Sequence, residues 1–171
     1  RKAGVTLVPD TGLMPGMGNT LAAHCLNLLD TTDEIHIRCG GLPQTPRPPL
    51  NYKLVFSVEG LINEYFGVAY VVRDGKVAEI PTFSELEPIE FDPPVGKCEA
   101  FVTSGGTSIC PWSFEGKVRE FDYKTVRYLG HYEKIKTLLE LDFFELAPVK
   151  VKGVKLRPRD LSSALLSRKI D

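Results

Sequence analysis

Arg127 lies between Val126 and Tyr128, after an apolar-alternating stretch. A planar guanidinium at the end of a strand can clamp a substrate carboxylate through two parallel hydrogen bonds. The same position also suits a plain ion pair at a strand end. Glu59 and Glu64 lie five apart on a predicted helix, so they do not share a face and cannot both address one atom. Glu59, close to Phe56-Ser57, is the better placed of the two to accept a substrate ammonium, although an acid there also suits the helix dipole. His131 opens a predicted helix, where a neutral imidazole can accept a proton and where a purely structural histidine also fits. Lys53 suits either a surface charge or a carboxylate partner.

A stiff platform precedes these groups. Cys39-Gly40-Gly41-Leu42-Pro43 runs into Pro46, Pro48-Pro49-Leu50 and Tyr52-Lys53. Adjacent glycines let backbone approach a ligand or another strand, and the prolines hold an extended path away from helix. The Gly41-Leu42 backbone can therefore anchor polar groups, with Phe56 and Tyr65 walling out water. Gly12 to Asn19 follows a predicted strand and opens a helix, a geometry that suits an anion or a plain capped turn. No Gly-x-Gly-x-x-Gly follows a first strand, so a full dinucleotide fold is not encoded. Gly105-Gly106-Thr107-Ser108 lacks the Gly-Lys-Thr of a triphosphate loop, and no Gly-x-Ser-x-Gly elbow is present.

The 171 residues are 43% hydrophobic and 25% charged, with a net charge of −1, the balance of a globular domain with no field for nucleic acid or anionic membrane. Four scattered cysteines and three histidines without ligand spacing favour reduced, structural thiols and no metal. A cytoplasmic setting is the default expectation.

The positioning elements read as follows. Val5 to Val8 is a strand, and Leu21 to Leu29 a helix capped by Asn19 or Thr20, with Leu21, Cys25 and Leu28 on one face. Glu34 to Cys39 alternates as a half-buried strand, and Tyr52 to Phe56 is another. Ser57 caps a helix containing Gly60, Leu61, Ile62 and Tyr65. Val68 to Arg73, Asp74-Gly75 and Lys76 to Ile80 form a hairpin. Pro88 to Phe91, Glu99 to Thr103 and Val118 to Val126 are strands; His131 to Leu141 and Leu161 to Leu166 are helices, the latter capped by Asp160. Strands in runs with few helices between them indicate an α+β fold: a mixed, mostly antiparallel sheet with helices on one face.

In sequence order, Asp10-x-Gly12-x-x-Pro15-Gly16-x-x-Asn19, Cys39-Gly40-Gly41-Leu42-Pro43, Glu59-Gly60-x-x-x-Glu64-Tyr65 and Arg127-Tyr128-x-Gly130-His131 resemble the second domain of the saccharopine dehydrogenase-like family. Within it the likeness is closer to lysine dehydrogenases that remove the side-chain amine. The resemblance implies a catalytic and dimerisation domain without its Rossmann domain. It implies residues 1–20 as a remnant joining a nucleotide-binding domain, 21–150 as the substrate and dimerisation domain, and 151–171 as a C-terminal helical segment. It implies NAD or NADP as cofactor, bound mainly outside this chain, an amino-acid or amine substrate, and a homodimer. Arg127 and Tyr128 fall in the amino-acid site, and Met14, Pro15, Gly16 and Asn19 on a loop facing the nicotinamide. Glu59 and His131 are then the candidate catalytic residues. Glu59-Gly60-Leu61-Ile62-Asn63-Glu64-Tyr65 resembles the acidic version of this motif in the lysine dehydrogenases, which implies a free amine over a glutamyl arm. A non-catalytic dimerisation module, and saccharopine or carboxynorspermidine chemistry, are the alternatives.

Overall fold

The computed structural model describes residues 3–170, with elements in the order α1 (Met17–Leu28), β1 (Glu34–Cys39), α2 (Val58–Asn63), β2 (Val68–Arg73), β3 (Lys76–Pro81), β4 (Glu87–Phe91), β5 (Gly96–Phe101), α3 (Cys110–Phe114), β6 (Glu120–Tyr128), α4 (His131–Glu140), β7 (Val149–Val151), β8 (Val154–Leu156) and α5 (Pro158–Ile170). Among the described residues the main sheet has six strands, ordered β3-β2-β6-β5-β4, with β1 added against β6. β1 runs parallel to β6, from Glu34 opposite Glu120 to Cys39 opposite Thr125. The other pairings in this sheet are antiparallel. The fold is therefore α+β with a mostly antiparallel mixed sheet, as the strand-rich sequence indicates.

β6 is the strand on which everything converges, and its alternation assigns each residue to a face. Phe121, Tyr123, Thr125 and Arg127 point to one side. There Phe121 and Val72 pack against Ala22 of α1 and Phe114 of α3. On the same side Phe101, whose partner in register is Thr125, packs against α2, α4 and Ile170 of α5. All the named helices thus cover one face of the sheet.

The other face carries Asp122, Lys124, Val126 and Tyr128 without a helix above them. Cys98, Ala100 and Val126 form a small apolar cluster there, with Leu42, Ile89 and Tyr128 at its edge. Beside it lies a chain of ion pairs. Asp122 is 4% exposed and accepts from Arg38 at 2.6 Å and Arg73 at 3.2 Å, with His36 at 3.1 Å. Lys124 donates to Glu87 at 2.8 Å, and Arg38 also meets Glu87. Burial by itself would raise the Asp122 carboxyl, but the hydrogen bonds from Arg38 and His36 outweigh it and hold it below the usual range.

Several sequence expectations need correction. Val5 to Val8 is no strand; Val5, Leu7 and Val8 are exposed and pair with nothing in a ladder. Tyr52 to Phe56 is also irregular: among the described residues no strand pairs with it to supply the cross-strand packing that β-rich composition requires. α1 starts earlier than expected, with Gly16 as its N-cap instead of Asn19 or Thr20. Its Leu21, Cys25 and Leu28 are exposed, and the buried face is that of Ala22. Ser57 does cap α2, accepting from the Gly60 N–H, but Tyr65 lies beyond the helix. The central strand is displaced from Val118–Val126 to Glu120–Tyr128.

Two glycines matter to this architecture. A Cβ on Gly40 would sit 2.4 Å from the Val126 carbonyl oxygen, whereas one on Gly41 would meet only Val55 at 3.5 Å. Gly130 turns β6 into α4 with φ of +84°. Gly40→Ala is expected to destabilise the fold by about 2 kcal/mol through forced backbone displacement, while Gly41→Ala stays within about 0.5 kcal/mol. Asp122→Ala, which strands Arg38 and Arg73, is expected to cost about 3 kcal/mol. Urea denaturation of the three variants measures all three changes.

Candidate functional site

Arg127 is 4% exposed, on the helix-covered face near the end of β6. Its neighbour across the sheet is Glu99, the obvious counter-ion. Glu99 is engaged elsewhere: its carboxylate accepts from the N–H of Tyr132 at 2.6 Å and of Gly130 at 3.1 Å, holding the start of α4. The guanidinium instead donates to Thr125 Oγ1 at 2.7 Å and to the Val126 carbonyl at 2.9 Å. It lies 4.7 Å from the ring centre of Tyr52, a cation–π seat. Glu64 Oε2 stands 3.7 Å away. Arg127 Nε and the Tyr52 hydroxyl are buried and have no hydrogen-bond partner among the described residues.

These groups floor a cleft of about 170 Å³ bounded by Met14, Gly40, Gly41, Phe56, Glu64 and Tyr123 among others. A second lobe of about 250 Å³ opens beside it, sharing Met14, Glu64 and Tyr123 and continuing to Asp10, Pro15 and the Thr103–Gly106 loop. Burial raises the Glu64 carboxyl, and the Arg127 charge pulls it partly back. Burial likewise pushes the Tyr123 phenol up to about 12. A cation and a carboxylate side by side at the base of a half-enclosed cleft are complementary to a zwitterion. A larger groove of about 440 Å³ between α4 and α5 is almost wholly apolar and carries no such convergence.

The structure brings Arg127, Gly41, Phe56 and Met14 to the first lobe and Pro15 to the second. It does not bring the remaining candidates there. Leu42 and Tyr128 face the opposite side of the sheet, the Tyr128 hydroxyl donating to the Pro43 carbonyl at 3.2 Å. Glu59 is exposed and accepts from Ser163 of α5 at 2.6 Å. Tyr65 is buried behind Arg127, outside the lining. His131 is 0% exposed, with Nε2 2.9 Å from the Tyr65 hydroxyl and Nδ1 3.4 Å from the Leu50 carbonyl, so neither ring nitrogen is open to a substrate proton.

Glu64, Tyr52, Tyr123 and Thr125 are the cleft residues that sequence reasoning passed over. Glu64 is the C-cap of α2 and keeps helical dihedrals, its N–H bonding the Gly60 carbonyl, so its five-residue spacing from Glu59 turns it to a different face. Alternation along β6 was the available signal for Tyr123 and Thr125, which share the face of Arg127.

The loop from Met14 to Asn19 does not fit a dinucleotide site by itself. The Asn19 side chain is used internally, its Oδ1 accepting from the Gly16 N–H at 2.7 Å and its amide donating to the Thr107 carbonyl at 3.1 Å. Gly16 packs so close to Gly12 that a Cβ would be 2.1 Å from the Gly12 carbonyl oxygen. Among the described residues, no helix is long and apolar enough to cross a membrane, and no cluster of histidine, cysteine and acid side chains could hold a metal ion.

Burial, and after it the Arg127 charge, pushes the His131 imidazole down to about 3 from the usual 6.5. Its folded value lies below its unfolded one, so the unfolded chain binds the extra proton between those limits. His131 therefore supports stability fully above about pH 6.5 and progressively less as pH falls toward 3, by at most about 1.4 kcal/mol per pH unit. Urea midpoints at pH 7.5, 5.5 and 4.5 should fall more steeply for the natural chain than for His131→Gln. Asp122 and Glu87, both held low by ion pairing, contribute equally in the two proteins.

Comparison with known proteins fits this architecture. The chain is 27% identical over 161 residues to the saccharopine dehydrogenase (NADP+, L-glutamate-forming) of Pyricularia oryzae, covering 84% of this chain and 34% of that protein. It thus spans about a third of the length of that curated relative. Its fold matches apo saccharopine dehydrogenase (L-Glu forming) from Saccharomyces cerevisiae with a TM-score of 0.64 at 22% identity, over 87% of this chain and 37% of the other. The family described as saccharopine dehydrogenase C-terminal domain matches residues 12–171, and the chain, with its helix-covered mixed sheet and its cleft beside β6, belongs to that family.

Proposed function

We propose that this chain is the substrate-binding domain of an NAD(P)-dependent oxidoreductase that oxidises lysine or a lysine-derived amine. The observation that carries the reading is the buried Arg127 guanidinium on the cleft floor, with Nε lacking a partner among the described residues and Glu64 beside it. An unmatched buried donor costs about 1–3 kcal/mol, which a bound carboxylate would offset. In this reading Arg127 binds the carboxylate, the Tyr52 hydroxyl adds a donor, and Glu64 receives the substrate ammonium in place of Glu59. Phe56 and Met14 limit access of water, which strengthens both charge contacts. NAD or NADP supplies the hydride acceptor and would be held by residues outside this chain; the relative from Pyricularia oryzae carries NADP+ in its name. Homodimerisation through the helix-free face of the sheet belongs to the same proposal.

The test uses the full-length protein with lysine, saccharopine and a polyamine series, following reduction of NAD and of NADP. Arg127→Ala should lower kcat/KM about 100-fold while the protein still folds, judged by far-UV circular dichroism at the assay temperature, and Arg127→Lys should not restore it because it lacks the planar fork. Glu64→Gln should raise KM for the amine about 10-fold, the loss of one charge-assisted contact. Full turnover in Arg127→Ala would remove Arg127 from the site. Amine oxidation absent from the natural protein across the series would overturn the proposed reaction.

A further inference from the structure

We propose that His131 is a positioning residue for Arg127: a neutral brace that holds Tyr52 and Tyr65 against the guanidinium, and not a proton acceptor for substrate. The functional part of this inference rests on Arg127 being the carboxylate clamp; the brace itself is a property of the folded chain.

The geometry is a closed cluster. The imidazole edge meets the Tyr52 ring, centroids 5.6 Å apart at 72°, and Tyr52 in turn seats the guanidinium. Tyr65 meets the imidazole from another side, with its hydroxyl 2.9 Å from Nε2. The Leu50 carbonyl faces Nδ1 and can only accept, which assigns the ring proton to Nδ1 and leaves Nε2 to accept the Tyr65 O–H. A Tyr65 hydroxyl whose proton is turned toward His131 presents its oxygen lone pairs to Arg127, whose charge acts on that phenol. A protonated imidazole would reverse that hydroxyl and add a third cation to Arg127 and Lys134, the positive groups that already act on it. Glu99 fixes the brace at its root by holding the N–H groups of Gly130 and Tyr132 on either side of His131.

Neutrality is thus a requirement of the arrangement. Loss of the Nε2 acceptor frees the Tyr65 hydroxyl, lets Tyr52 shift, and leaves the guanidinium anchored only at Nη1 by Thr125 and the Val126 carbonyl, free to tilt about that end. Bidentate carboxylate binding depends on a fixed guanidinium plane.

The experiment compares His131→Leu, His131→Gln and Tyr65→Phe in the full-length protein. The glutamine oxygen can take the place of Nε2 as acceptor, and Tyr65→Phe keeps the packing if His131→Leu does not fold. The first readout needs no substrate: the ¹⁵N–¹H signal of Arg127 Nε, assigned by its loss in Arg127→Lys. It should be sharp and slowly exchanging in the natural protein and His131→Gln, and broadened in His131→Leu and Tyr65→Phe. The second is kinetic: KM for the amino acid rises about 10-fold in His131→Leu and Tyr65→Phe, kcat stays within about two-fold with an unchanged pH profile, and His131→Gln recovers most of the loss. An Arg127 signal and a KM like those of the natural protein in both variants would overturn the brace. A collapse of kcat with loss of the acid limb of its pH profile, at constant KM, would make His131 catalytic instead. If the natural protein oxidises no amine, the reaction falls while the Arg127 signal still decides the brace.

Discussion

Burying one guanidinium is the constraint on which the site depends. Removing a permanent cation from water costs several kcal/mol unless the surroundings replace its solvation. Here the replacement comes from Thr125 and the Val126 carbonyl on the same strand, the face of Tyr52 from the proline loop, and Glu64 from the end of α2. Three separate chain segments must therefore meet at one residue of β6. Glu99, the in-register neighbour, is diverted to the start of α4. Among the described residues that diversion leaves Nε of Arg127 unmatched, the feature on which the proposed carboxylate site rests.

The other face of β6 faces a similar demand and meets it differently. Asp122 and Lys124 are almost fully buried on a sheet face without helices, where alternation would ordinarily place apolar or solvated residues. They are matched by Arg38, Arg73 and Glu87 from neighbouring strands. Every charge in the set has an opposite partner, so the network is closed, whereas the cluster around Arg127 is open by one partner. A closed set favours one strand register over its slipped alternatives. The open one is where a ligand gains most by binding.

Local chemistry explains which elements were legible. Asp74-Gly75 adopts positive φ at both positions, the turn that its residue types select, so the β2–β3 hairpin was readable within a few residues. The alternation of Glu34 to Cys39 and the amphipathic run after His131 were readable for the same reason: each pattern matches one period. Tyr52 to Phe56 has strand-like composition but no neighbouring strand, and its Leu54 N–H bonds the carbonyl of Ile170 instead. Sequence composition cannot supply that missing neighbour. Leu42 was misassigned to the cleft because the chain crosses to the other face after Gly41, a turn of the path that proline spacing does not encode.

Residue types and their order determined by themselves the fold class, the hairpin, the close approach at Gly40 and the candidacy of Arg127, which the family resemblance then favoured over a plain ion pair. Each depends on a property carried by one residue or one short period. Tertiary structure alone decided that Glu64 and not Glu59 stands beside Arg127, that Tyr52 seats the guanidinium, and that His131 is sealed inside. Those outcomes depend on distances between segments more than sixty residues apart, set by how β6 gathers its neighbours. A linear pattern carries no record of which side chains the packed core brings together.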